Sequence, residues 1–319
     1  MNWFEQTRDF YGARWFAGME LAYPQRWRRF RGEANSATLL KRGPTPERVA
    51  VIISGGGSDG PLLPAFVGEG LADACVIGAP YSAPNAYALY EAGLHLGKEK
   101  GVLLMYNNFA GDFLNNDMAA ELLGLEGIGV ESVAATDDMG MAVGEPRENR
   151  GGRCSLPLLI KLAAGAAKDG LSLADTAALV RRANARSATL CVVVDQQREE
   201  ISYGNGFSGE PGFRRETHMD PGRTARELAE MVLEDLRPRE GEKLYVLLNR
   251  LRLTSYADSY NMALRIHEHL SSRHEVAQLR VGGFSNILDV YGYTLTLLCA
   301  DSAMEKYLEG TIGGDSFML

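Results

Sequence analysis

The chain has 319 residues, 45% apolar and 23% charged, enough for two domains each with its own core. No run of about 18 uninterrupted apolar residues occurs, so no membrane helix is expected. A formal charge of −8 argues against nucleic-acid binding as the main task. Cys75, Cys154, Cys191 and Cys299 are widely spaced, with no C-x-x-C, which points to buried free thiols. The start, Met1 to Glu5, lacks the basic and apolar regions of a secretory leader, so a cytoplasmic location is expected.

Residues 1–47 read as an aromatic-rich helical lead-in closed by Gly43-Pro44-Thr45-Pro46. Its basic cluster, Arg26-Trp27-Arg28-Arg29, reads as a solvated surface or interface helix. Strands and helices then alternate. Strands are expected at Val49–Ser54, Ala74–Ile77, Gly101–Tyr106 and Gly127–Ala135, and helices at Leu62–Leu71, Ala83–Leu96, Asp112–Leu123, Ser155–Lys168 and Leu173–Asn184. Ser172 and Asp175 form a capping box for the last of these helices. The strands are nearly continuous apolar runs, as a parallel sheet covered on both faces requires.

After Arg186 the texture changes. Strands are expected at Ser187–Val194, Glu200–Tyr203, Lys243–Leu248, Val276–Val281 and Tyr293–Cys299, and helices from a Thr224-x-x-Glu227 capping box to Leu236 and over Tyr256–Leu270. A boundary near 186 gives an N-terminal α/β domain, 1–186, and a C-terminal α/β domain, 187–319.

Each half carries a glycine-rich turn, Ser54-Gly55-Gly56-Gly57-Ser58-Asp59-Gly60 and Gly204-Asn205-Gly206-Phe207-Ser208-Gly209-Glu210-Pro211-Gly212. Glycine there admits φ > 0, or close approach of backbone to a ligand. Gly55, Gly57 and Gly60 satisfy G-x-G-x-x-G, but Ile77-Gly78-Ala79-Pro80 stands where a dinucleotide site needs an acid, and there is no P-loop. Asp112, at a strand-to-helix junction, either caps the helix or faces a ligand at the carboxyl edge of the sheet. Asp137 and Asp138 pose the same alternatives. The histidines, His95, His218, His267, His269 and His274, have no metal-ligand spacing and read as surface or packing residues, so no metal site is expected.

Taken together, the chain resembles the K-type subunit of dihydroxyacetone (glycerone) kinases. The matching segments are Ser54 to Ser58, Asn108-Phe109-Ala110-Gly111-Asp112, Asn149-Arg150-Gly151-Gly152-Arg153, Gly206 to Gly212, and Leu288-Asp289-x-x-Gly292-Tyr293-Thr294, in family order. The resemblance implies an α/β, two-domain architecture, each domain a mixed or parallel sheet flanked by helices, and a homodimer. It also implies that this chain binds no nucleotide cofactor, and that ATP or ADP with Mg sits on a separate partner subunit. Asp112 would be the retained carboxylate base, with Asp59 standing in for a loop histidine. Gly56, Gly57, Ser58, Asn107, Asn108 and Ser208 would contact a small carbohydrate.

Three positions depart from the family. Ser208 replaces the histidine that adds to the ketose carbonyl, the first loop ends Asp59-Gly60-Pro61 without its histidine, and Asn107 stands where a lysine is common. The implied function is therefore a substrate-binding subunit for phosphoryl transfer to a small ketose or polyol. The alternatives are a catalytically degenerate carbohydrate-binding regulator or coactivator, and an enzyme of other sugar chemistry, such as isomerisation with Asp112 as base.

Overall fold

The computed structural model describes residues 11–31, 35–57, 63–141, 143–144, 146–206, 209–285 and 289–309. Ser58, Asp59, Gly60, Phe207, Ser208 and Leu288 lie outside these residues. The described parts of Met1–Ala135, Leu156–Arg181 and Tyr307–Phe317 form one compact unit, and those of Thr136–Ser155 and Arg182–Lys306 a second. A single cut at 186 would place 136–155 in the first half; it groups with the second unit.

The first unit begins with helix α1 (Tyr11–Ala22), then strands β1 (Trp27–Arg29), β2 (Ala37–Lys41), β3 (Ala50–Gly55) and β4 (Ala74–Ile77). Next come α2 (Ala86–Leu96), β5 (Val102–Asn107), α3 (Ala110–Leu125), β6 (Val130–Ala135) and α4 (Leu156–Lys168). The sheet runs β1-β2-β4-β3-β5-β6; β4, β3, β5 and β6 are parallel, while β1 and β2 add antiparallel. Because side chains alternate along a strand, Ala50, Ile52, Ala74, Val76, Val102 and Leu104 line one face, packed with Leu89, Ala92 and Leu96 of α2. Burial on both faces explains the uninterrupted apolar strands. Truncating fully buried Leu89 to alanine should cost about 2–5 kcal/mol.

Two readings of this half need correction. The basic cluster is no helix: Trp27–Arg29 is a strand on β2, anchored by the Trp27 indole N–H donating to the Val67 carbonyl at 2.8 Å. The described part of the expected helix Leu62–Leu71 is a short turn, Pro64–Phe66, followed by a bridge between Val67 and Ala72. Gly68 and left-handed Gly70 (φ 69°) end helical propagation there.

The second unit contains β7 (Ser187–Asp195), β8 (Glu200–Tyr203), β9 (Arg214–Thr217), α6 (Pro221–Leu236), β10 (Lys243–Arg250), α7 (Tyr256–Ser271), β11 (Val276–Gly282) and β12 (Gly292–Ala300). Helix α5 (Leu173–Ala185) leads into it, and α8 (Ser302–Leu308) follows. Its sheet, β11-β10-β12-β7-β8-β9, is antiparallel except for β10 with β11. Its core joins Leu190, Val192, Val246, Leu248, Leu295 and Leu297 to α6 and α7. The capping box at Thr224 is not formed. Helix α6 starts earlier at Pro221, and Asp220 caps it by accepting from Gly222 N at 2.8 Å and Arg223 N at 3.2 Å. At Ser172 the cap itself is formed, with Asp175 N donating to Ser172 Oγ at 3.1 Å, while the Asp175 carboxylate accepts from the Ser172 hydroxyl at 2.6 Å.

Candidate functional site

In the order β4-β3-β5-β6, the chain leaves β3 toward one side and returns to β5 on the other. The carboxyl ends of β3 and β5 therefore border the switch point at which open α/β sheets form their ligand crevice. β3 runs out into Gly55, Gly56 and Gly57; β5 runs out into Asn107, Asn108 and the first turn of α3.

Asp112 sits in that first turn and does not cap the helix: Phe109 is the N-cap, without a side-chain hydrogen bond. The carboxylate is 7% exposed, and its Oδ1 has no hydrogen-bond partner among the described residues. Burial pushes its pKa up from 3.8 to about 7. A helix N-terminus favours an anion by only about 0.3–1 kcal/mol, so desolvation wins. Asn107 also has a buried Oδ1 without a partner among the described residues. Two buried acceptors without a partner among the described residues, one at the end of β5 and one in the first turn of α3, are what a hydroxyl-bearing ligand would satisfy.

One turn further, Asn116 is fully buried and donates to Ser54 Oγ at 3.0 Å and to the Asp112 carbonyl at 2.9 Å. This bond ties α3 to the end of β3 and fixes the depth of Asp112. Sequence reasoning missed Asn116; the signal was a polar residue four places after Asp112, on the same helix face. Tyr106, buried at the end of β5, has its hydroxyl pushed up to about 12 by burial, with the Asp117 and Asp112 carboxylates adding to it.

The first glycine turn meets backbone. A Cβ at Gly57 would lie 2.3 Å from the Gly78 carbonyl, and Gly57 N donates to Ala79 O at 3.1 Å. Neither Gly56 nor Gly57 has positive φ. A Cβ at Gly56 would lie 3.2 Å from Ser82 N, and one at Gly111 3.2 Å from Ala83 Cβ. The 78–83 loop thus touches both the glycine turn and the start of α3. Of the residues singled out in the sequence, Gly56, Gly57, Asn107, Asn108 and Asp112 share this edge; Ser58, Asp59 and Ser208 fall outside the described residues.

In the second unit, Asp137 and Asp138 are structural. Fully buried Asp137 accepts from Arg153 N at 2.9 Å, Cys154 N at 3.0 Å, Ser155 N at 2.9 Å and the Thr189 hydroxyl. Asp138 pairs with Arg153 at 3.0 Å, and Arg153 also donates to the Asn205 carbonyl at 2.6 Å, pinning the second glycine turn. Burial pushes the Asp138 carboxyl up, against the opposing pull of Arg153. Glu216, His218 and Glu227 also converge, with ligand atoms within 4.8 Å of one another. Arg214 and Arg223 already pair with both carboxylates, which leaves the cluster neutralised. All four cysteines are free and buried. Among the described residues no helix is long and apolar enough to cross a membrane.

Comparison with known proteins places the sequence and the fold. The chain is 32% identical over 276 residues to the "PTS-dependent dihydroxyacetone kinase 2, dihydroxyacetone-binding subunit DhaK" of Listeria innocua serovar 6a, covering 82% of this chain and 83% of that one. It is 30% identical over 276 residues to the "D-erythrulose kinase" of Mycolicibacterium smegmatis, covering 82% of this chain but 48% of that larger protein. A solved structure described as "Regulation of the dha operon of Lactococcus lactis" superimposes with a TM-score of 0.86 at 25% identity, over 93% of this chain and 92% of that one. The Dak1 domain matches residues 17–313, and the chain belongs to that family.

Proposed function

We propose that this chain is the substrate-holding subunit of a dihydroxyacetone-kinase-like phosphotransferase, acting on an uncharged three- or four-carbon ketose or polyol. The observation that carries the reading is the buried carboxylate of Asp112 at the switch point of the first sheet, its Oδ1 without a partner among the described residues. The relatives named for dihydroxyacetone and D-erythrulose support the substrate class. Asn107 accepts a hydrogen bond from one substrate hydroxyl. Asp112 takes the proton from the hydroxyl oxygen that attacks phosphorus, and the P–O bond to the nucleotide breaks as the new one forms. ATP or ADP with Mg, on a partner subunit, supplies the phosphoryl group. Asp59 completes the acid–base pair, while Ser58 and the Gly56 and Gly57 backbone orient hydroxyls.

Ser208 contacts the ligand without a covalent bond, because a serine hydroxyl needs an adjacent base to add to a carbonyl. The chain works as a homodimer in the cytoplasm, and light scattering of the purified protein tests the dimer. A second reading, a carbohydrate-binding regulator, is supported by the replaced histidine positions and by the relative studied for operon regulation. Purified chain mixed with its nucleotide-binding subunit separates the two. Turnover of dihydroxyacetone, erythrulose or a related polyol supports the enzyme. Calorimetric binding of the sugar with no turnover supports the regulator, and neither binding nor turnover sinks both.

A further inference from the structure

A second concave site lies in the first unit, well defined by sequence register. Trp27 pairs with Lys41 across the antiparallel β1–β2 ladder, which sets Arg26 opposite Arg42, and Arg42 N donates to the Arg26 carbonyl at 2.8 Å. Like charges directly opposed across a strand pair are destabilising. Among the described residues neither guanidinium is neutralised at hydrogen-bonding distance. Arg26 makes no ion pair among the described residues and lies 5.7 Å from the Trp27 ring centroid; Arg42 reaches only Glu20, at 3.9 Å. A cation held over an indole face gains a cation–π attraction that does not use up its N–H donors.

Both arginines line one cavity of about 230 Å³, together with Gln25, Lys41 and the Gly68–Glu69 turn. Lys41 is engaged by Glu69 at 3.3 Å and Asp73 at 3.9 Å. Glu69, mostly exposed, also reaches Lys168 at 3.9 Å. The space is small beside the ~300–1,000 Å³ of drug-sized ligand pockets. It has room for a tetrahedral anion with a few carbon atoms.

We propose that this cavity binds a small phosphate-bearing ligand, with Arg26 and Arg42 as a bidentate clamp and Gln25 as an added donor. In a chain with a formal charge of −8, two opposed and unneutralised arginines are the local exception. A dianion between them converts their repulsion into charge-assisted hydrogen bonds. The phosphate is either free or part of a small monoester.

Titration of the full chain with inorganic phosphate, glycerol 1-phosphate and glycerol tests this. Saturable binding of a phosphate compound, absent for glycerol, is expected. Arg26→Gln/Arg42→Gln should weaken it about tenfold or more, and Glu69→Gln should tighten it. Higher affinity for the monoester than for phosphate identifies the ester as the ligand; equal affinity identifies the free anion. Exposed Arg265→Gln is the control. Thermal melting gives an independent readout: phosphate should raise the midpoint of the wild type and of Arg265→Gln but not of the double variant. Should the double variant not fold, Arg42→Gln alone carries both measurements. Unchanged affinity in the folded variants, no saturable binding, or attraction abolished by about 150 mM KCl would overturn the proposal.

Discussion

Keeping the Asp112 carboxylate buried and unpaired costs the fold stability, and the cost depends on pH. Its folded pKa of about 7 lies above the ordinary 3.8, so the folded state binds the extra proton between those values. Below about pH 4 the group is protonated folded or unfolded and the penalty vanishes; it is complete above about pH 7. Relative to wild type, Asp112→Asn should therefore gain about 2–4 kcal/mol in stability between pH 4 and pH 8, read by urea unfolding at both. A variant that loses stability over that range would mean that the carboxylate has a stabilising partner. The glycines give a second contrast. Gly57→Ala drives a Cβ to 2.3 Å from the Gly78 carbonyl and should cost more than about 2 kcal/mol. Gly124→Ala, in helix α3 with open space around it, should gain about 0.5–1 kcal/mol.

At the scale of elements, the second glycine turn is pinned through one internal ion pair, Arg153 with Asp138. Removing one member of a buried pair strands the other charge, so Arg153→Met should destabilise by about 3–5 kcal/mol in thermal or urea unfolding. A loss under about 1 kcal/mol would show that Arg153 is dispensable for the turn. The sequence announced the segments whose own chemistry decides them. Ala74–Ile77 falls on its apolar run, and Tyr256 follows its Ser255 cap. It hid those decided by distant partners. Ala37–Lys41 is a strand because β4 offers an open edge, and Asp220 displaces Thr224 as cap because Pro221 suits the first helical position. Asp112 was legible as a candidate, but its burial is a fact of the fold; Asn116 and Gly78 take their meaning from Ser54 and Ser82, neither adjacent in sequence.

For the whole molecule, the family fold persists while the sequence departs from the family pattern at three places: Ser208, Asn107 and a first loop without histidine. In the proposed function, Asp112 bears the acid–base work without a covalent anchor for the substrate. Mass spectrometry after incubation with dihydroxyacetone and a reductant should show no adduct on this chain; an added mass would restore the covalent route. The decisive measurement is the pH dependence of phosphoryl transfer to a small ketose by wild type and Asp112→Asn, each with the nucleotide-binding subunit. The wild-type rate should rise with pH to a plateau with a midpoint near 7, and the variant should lose about 10²–10⁴-fold while still binding the sugar. A variant as fast as wild type, with the same pH profile, would contradict the assignment of Asp112 as base.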